Sequence, residues 1–290
     1  MCGIFGFSGS KVNSSKLKIL ALYNESRGGH ATGIYSDRFG IIKDKLSAEE
    51  FIAIYSKEFK ANNLLLGHTR YKTHGANTPQ NAHPFNYDNV IGIHNGVIDN
   101  YNEIAASYNK KIDVDSQCIF IAIANNFNNE HEILPEIIGA MAIAYTKSDG
   151  LLYLYRRDNP IFIGYSKDGM YFSSLHESLL AIDCNKIQIL KEHVIHMFNN
   201  GKLIKTVDVN MPVRKSYSNW TDYTNNYDEP YSYSELAQLG VSANEIAMLE
   251  PLNIEDQYYY LFENGYIESE NDGLGNEIIH NHCGDASNIN

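Results

Sequence analysis

MCGIFGFSG, residues 1–9, holds a short apolar run at 4–7 closed by Ser8 and Gly9. An uninterrupted run of this kind, bounded by turn formers, reads as a strand buried on both faces. A strand starting this early ties Cys2 to a core instead of leaving it on a loose end. Loss of Met1, which a small second side chain permits, would give Cys2 both a thiol and a free α-amine. A free α-amine titrates near about 8 and a thiol near about 8.5, so one can serve the other as base close to neutral pH. The competing reading is an incidental cysteine at a frayed terminus.

Beyond this strand, 14–16 leads into Leu17, Ile19, Leu20 and Leu22, the pattern of a capped helix. Residues 64–66 and 90–94 read as short buried strands, each running into a polar, Gly-containing loop. Helices are expected over 100–108 and 116–124. Four strands follow at hairpin spacing, 139–145, 151–156, 161–165 and 170–173, with turn signals at 148–150 and 167–169. A helix over 177–182 precedes strands at 188–190, 193–198 and 203–207, the last two joined at Asn199-Asn200-Gly201. Antiparallel strand groups separated by helices give an α+β layered fold, not a doubly wound parallel sheet.

The 290 residues, 43% apolar and 20% charged, have room for a sizeable core and exclude a disordered or fibrous chain. No apolar run approaches the roughly 20 residues that span a bilayer, and the N-terminus lacks the pattern of a secretory signal. Cysteines at 2, 118, 184 and 283 have no close spacing, so a disulfide framework is not expected and a reducing cytoplasm is. The net charge of −12 argues against a phosphate-neutralising nucleic-acid binder. Its distribution is uneven: after residue 205 the chain has only Arg214 and Lys215 against 15 acids. The chain is therefore read as a domain over 1–210 and an acidic, Tyr-rich, partly disordered extension over 211–290. The extension contains Trp220, two short helix candidates (234–239 and 243–249), an aromatic stripe over 254–262 and a largely disordered end over 268–290.

Polar chemistry concentrates at GHTRYKTHG (67–75) and on to NAHPF (81–85). Arg70 offers a fork that fits a carboxylate. His68, His74 and His83 have neither a helical nor a Cys/His zinc spacing, so no metal is assigned. In His94-Asn95-Gly96, Asn-Gly is the commonest tight-turn pair, yet an Asn amide followed by a backbone N–H also makes a two-donor oxyanion hole. Asp115 either favours the positive end of the following helix or binds a cationic amine.

Taken together, these stretches resemble the class II glutamine amidotransferase domain, an N-terminal-nucleophile hydrolase, and most of all the glutaminase half of glucosamine-6-phosphate synthase. The matching blocks are MCGIFGF (1–7), RGGHATGI (27–34), GHTRYKTHG (67–75), NAHPF (81–85), IHNGVIDNYNEI (93–104) and DSQCIFIAI (115–123). The segments over 139–164 and 171–179 extend the likeness across about two-thirds of the chain. The resemblance implies a four-layer αββα sandwich, no cofactor and L-glutamine as substrate. It implies Cys2 as nucleophile with its own α-amine as base, and Asn95 with Gly96 as the oxyanion hole. Arg70 would hold the substrate α-carboxylate and Asp115 its α-ammonium. Thr73 and His74 would belong to the loop over the substrate, and Arg27 would order the nucleophile's surroundings. Two residues depart from the common pattern: His30 stands where many relatives carry Asp, and Tyr71 where many carry Trp.

The well-known members fuse this domain to a synthase partner, whereas residues 211–290 contain no Gly-rich phosphate loop. The expected function is ammonia release from glutamine through a Cys2 thioester, for a separate ammonia-accepting synthase subunit, in a protein that can form homo-oligomers. Two alternatives stand beside it. One is a stand-alone γ-glutamyl amidase without ammonia transfer; the other is a non-catalytic binding protein that uses the acidic aromatic tail.

Overall fold

In the computed structural model, β1 (Gly3–Gly9) is buried along its whole length. Its side chains alternate between two cores. Ile4 joins the apolar layer between two sheets, while Phe7 packs against Tyr171 on a neighbouring strand. Burial on both sides is why the run reads as continuous apolar sequence. The structure describes residues 2–72 and 75–211. It also describes Leu236, Val241, Glu245, Leu249, Tyr260 and Leu261, and the backbone of 268–271 and 277–280.

The chain continues through α1 (Ser14–Glu25), β2 (Ala31–Ser36), β3 (Gly40–Asp44), α2 (Ala48–Tyr55) and β4 (Leu64–Arg70). Next come β5 (Phe85–Tyr87), β6 (Val90–Ile98), α3 (Tyr101–Ser107), α4 (Ser116–Asn125) and α5 (Glu130–Ile133). β7 (Gly139–Thr146), β8 (Leu152–Arg157), β9 (Phe162–Ser166), β10 (Gly169–Ser173), α6 (His176–Leu180), β11 (Asn185–Ile189), β12 (Val194–Asn199) and β13 (Lys202–Asp208) complete this part. Caps match the local sequence. Asn13 caps α1 with its side-chain oxygen, and Ser47 with Glu50 forms a reciprocal capping box on α2.

Seven strands form one sheet in the order β11-β9-β10-β1-β4-β2-β3, and six form another in the order β13-β12-β8-β7-β6-β5. Every pairing is antiparallel. The sheets face each other across Ile4, Leu66, Ile93, Ala144, Leu154, Ile163 and Phe172. The outer face of the six-stranded sheet is covered by α4, whose Cys118, Ile119, Ala122 and Ile123 pack with Met141, Ile143 and Tyr155. α1 lies on β1 and β4, and α6 on β10, covering the seven-stranded sheet. This is the expected four-layer α+β arrangement.

Several features differ from the sequence reading. It assigns neither the β2–β3 hairpin nor α2, β5 or α5. The strand expected to end at residue 94 runs on as β6 to Ile98, so Asn95-Gly96 is not a hairpin turn. Asn95 and Gly96 sit mid-strand opposite Ala142 and Met141. In the stretch 268–290, the described residues form a short antiparallel pair, β14 (Glu268–Asn271) and β15 (Glu277–His280); the others lie outside the described residues.

By internal contacts the chain divides into Met1–Pro212 and Val213–Asn290. Within the second unit, Leu236, Leu249, Tyr260 and Leu261 are buried and Tyr260 donates to Glu245 Oε1 at 2.6 Å. The rest of the expected helices and aromatic stripe there lies outside the described residues. No helix among the described residues is long and apolar enough to cross a membrane.

Candidate active site

The antiparallel pairing of β1 with β4 sets Gly3 opposite Thr69, which brings the residues just past β4 alongside Cys2. The Tyr71 N–H donates to Cys2 Sγ at 3.3 Å, and the thiol donates to Tyr71 O at 3.4 Å. Arg27, buried at the end of α1, donates from Nε to Cys2 O at 2.9 Å. From the opposite sheet, Asn95 Oδ1 accepts from Cys2 N at 3.2 Å. The half-buried thiol thus sits where β1, β4 and β6 converge.

Burial pushes the Cys2 thiol above its ordinary range, opposed by the Tyr71 hydrogen bond, the N-terminal charge and Arg70, and reinforced by Asp115. A thiol held this way is protonated at neutral pH and needs a base before it can attack.

Asn95 is 2% exposed, and with Oδ1 on Cys2 N its Nδ2 is a buried donor without a partner among the described residues. Such an orphan costs about 1–3 kcal/mol, and places that tolerate one are often functional. The Asn95 carbonyl is fixed by Asn159 Nδ2 at 3.1 Å. His94 is held by Ser116 Oγ at 2.8 Å and Ala140 O at 3.2 Å. Gly96 has φ +146, and a Cβ there would lie 1.9 Å from Ala140 O. We expect Gly96→Ala to lower stability by about 1–3 kcal/mol or more, seen as a melting temperature several degrees below wild type. An unchanged melting temperature would show that the strand relaxes freely at this point.

Arg70 and Asp115 are each 2% exposed. Arg70 donates from Nη1 to Ala76 O at 3.2 Å, and burial lowers its pKa against the pull of Cys2 and Asp115. Asp115 sits at the N-cap of α4 but makes no capping bond. Its Oδ2 instead accepts from Ile98 N at 2.9 Å, while Oδ1 has, among the described residues, a 3.5 Å contact with Ser116 Oγ. The helix-end reading of Asp115 therefore does not account for its side chain. Thr73 and His74 lie outside the described residues.

The histidines serve a different layer. His68 and His83 are buried with ring centroids 4.0 Å apart, and His68 Nε2 lies 3.0 Å from His94 O. Burial pushes His68 down to about 3 and His83 well below its usual value, so both are neutral. Lys43, bonded to Ala82 O and Pro84 O, is pushed down to about 8, first by burial and then by Arg70. Among the described residues, no group of three or more His, Cys, Asp or Glu side chains is placed to hold a metal.

Residues 68–181 match the protein family described as a glutamine amidotransferase domain. Glutamine--fructose-6-phosphate aminotransferase of Clostridium acetobutylicum is 30% identical over 191 residues, 60% of this chain and 31% of that protein. The Helicobacter pylori protein of the same name is 26% identical over 213 residues, covering 67% and 36%. Among solved structures, the glutamine phosphoribosylpyrophosphate amidotransferase of B. subtilis superposes with a TM-score of 0.63 at 15% identity. That match covers 82% of this chain and 52% of the other. In this region the chain is similar to glutamine amidotransferase domains.

The chain spans about a third of the length of the curated relatives it matches. Of the site residues named from its sequence, Arg27, Tyr71 and Asn95 each hydrogen-bond to Cys2. Arg70 and Asp115 both act on the Cys2 thiol through space. The supports Asn159 and Ser116 were not singled out. Their only signal in the sequence is a polar side chain, in a turn before Pro160 for Asn159 and at the start of a helix for Ser116.

Proposed function

We propose that the domain hydrolyses the side-chain amide of L-glutamine through a Cys2 thioester. The observation that carries this reading is the buried, unpartnered Asn95 Nδ2, held beside Cys2 by the bond from Cys2 N to Asn95 Oδ1. A donor fixed in that way suits an oxygen that gains negative charge during reaction.

With Met1 removed, the Cys2 α-amine donates to Asn95 Oδ1 and keeps its lone pair for the thiol proton. Sulfur then bonds to the carboxamide carbon, and the oxygen takes negative charge against Asn95 Nδ2 and the Gly96 N–H. As the intermediate collapses, the carbon–nitrogen bond breaks and the amine returns its proton to the departing nitrogen, releasing ammonia. Water attacks the thioester by the same route and yields glutamate. Arg70 holds the α-carboxylate, and Asp115 offers Oδ1 to the α-ammonium because Oδ2 is spent on Ile98. Thr73 and His74 complete the substrate loop in this reading. In this reading the ammonia passes to an acceptor enzyme on a separate chain.

Steady-state assays with glutamine and with γ-glutamyl peptides test the substrate. Glutamine is expected to be the better one, and a preference for the peptides would replace this reading with a γ-glutamyl amidase. Arg70→Lys keeps the positive charge that acts on the thiol but loses the planar fork. It is expected to raise KM for glutamine about tenfold, with kcat little changed. A fall in kcat at constant KM would take Arg70 off the α-carboxylate.

A further inference from the structure

The segment 27–31 wraps the end of β4 closely enough that a Cβ on Gly28 would lie 2.3 Å from Tyr71 N. His30 makes three polar contacts there. Its backbone N donates to Arg70 O at 3.0 Å, and its carbonyl accepts from Asn77 Nδ2 at 3.2 Å. Its ring packs on Tyr71 with centroids 4.9 Å apart and planes tilted by 35°. Its Nδ1 accepts from Lys72 N at 2.9 Å, so that nitrogen carries no proton.

The last contact bears on the nucleophile. Tyr71 C=O and Lys72 N–H belong to one peptide unit, and in a trans peptide they point in opposite directions. One end of that unit meets Cys2 Sγ, at 3.4 Å, and the other end meets His30 Nδ1. A flipped unit would turn its N–H toward the thiol and its carbonyl toward Nδ1, which could answer it only after the imidazole changed tautomer.

We infer that His30 is a positioning residue for Cys2: its Nδ1 fixes the Tyr71–Lys72 peptide and through it the place of the sulfur. The inference rests on Cys2 being the nucleophile. His30 touches neither sulfur nor substrate in this account, and it acts through one backbone unit.

Two variants of the full chain separate the acceptor from the ring. His30→Phe keeps a ring to pack on Tyr71 and loses the acceptor, while His30→Asn places Oδ1 near the position of Nδ1. In His30→Phe, amide exchange at Lys72 is expected to speed up at least tenfold, and kcat for glutamine to fall about tenfold with KM within threefold. In His30→Asn both return to within threefold of wild type. Unchanged exchange and kcat in His30→Phe, a loss confined to KM, or equal damage in the two variants would overturn the inference. If the wild type does not hydrolyse glutamine, it is the function reading that fails. Alkylation of Cys2 by iodoacetamide then decides: its rate must shift at least threefold in His30→Phe and not in His30→Asn, and any other pattern overturns the inference.

Discussion

Cys2→Ala is expected to bind glutamine and release no ammonia from it. The substitution removes the only atom that can form the thioester, while Arg70 and Asp115, which would grip the far end of the substrate, stay buried and fixed. Folding is expected to survive, because the thiol is half-buried and its two contacts go to a single residue, Tyr71. Calorimetric titration with glutamine would show binding within a few fold of wild type, and coupled detection of ammonia would show no turnover above background. Residual turnover within a hundredfold of wild type would move the chemistry to another group.

Asn95→Ala is expected to lower kcat by roughly 10²–10³-fold with little change in KM, the size of effect seen when an oxyanion donor is removed. Stability should move the other way or not at all. The wild type keeps Nδ2 buried with no partner among the described residues, a burden of about 1–3 kcal/mol that alanine removes, and this offsets the lost bond from Cys2 N. Asn95→Asp retains an oxygen for Cys2 N but replaces the donor with a second acceptor, so it should be as slow as the alanine variant. A melting temperature that falls while kcat holds would make Asn95 a structural residue only.

The strands flanking the site were legible because they are buried on both faces, and burial leaves continuous apolar runs such as 4–7 and 64–66. The hairpin β2–β3 was not. Ala31–Ser36, ATGIYS, mixes small and polar residues, and its burial follows from pairing with β4 instead of from its own pattern. Asn95-Gly96 misled in an instructive way. Local preference there favours a turn, but pairing with Ala142 and Met141 keeps the strand straight and leaves a positive-φ glycine and an orphan donor inside it. A break in local rules at a candidate active site is where such breaks are expected.

Residue type was enough to nominate Cys2, Arg70, Asn95, Gly96 and Asp115. It could not reveal that Asp115 bonds Ile98 rather than capping α4, or that Asn159 holds the Asn95 carbonyl across 64 residues. The contact of His30 with Lys72 spans 42 residues and involves a backbone N–H that carries no sequence signal at all.

The account turns on the N-terminal residue of the working protein. Treatment with a glutamine analogue bearing an electrophile at the side-chain carbonyl position, followed by intact-mass and peptide analysis, tests it most directly. The expected result is a single adduct on a peptide that begins at Cys2 with Met1 absent, and loss of glutaminase activity in step with labelling. An adduct on Cys118, Cys184 or Cys283 instead, or full activity in protein that retains Met1, would contradict it.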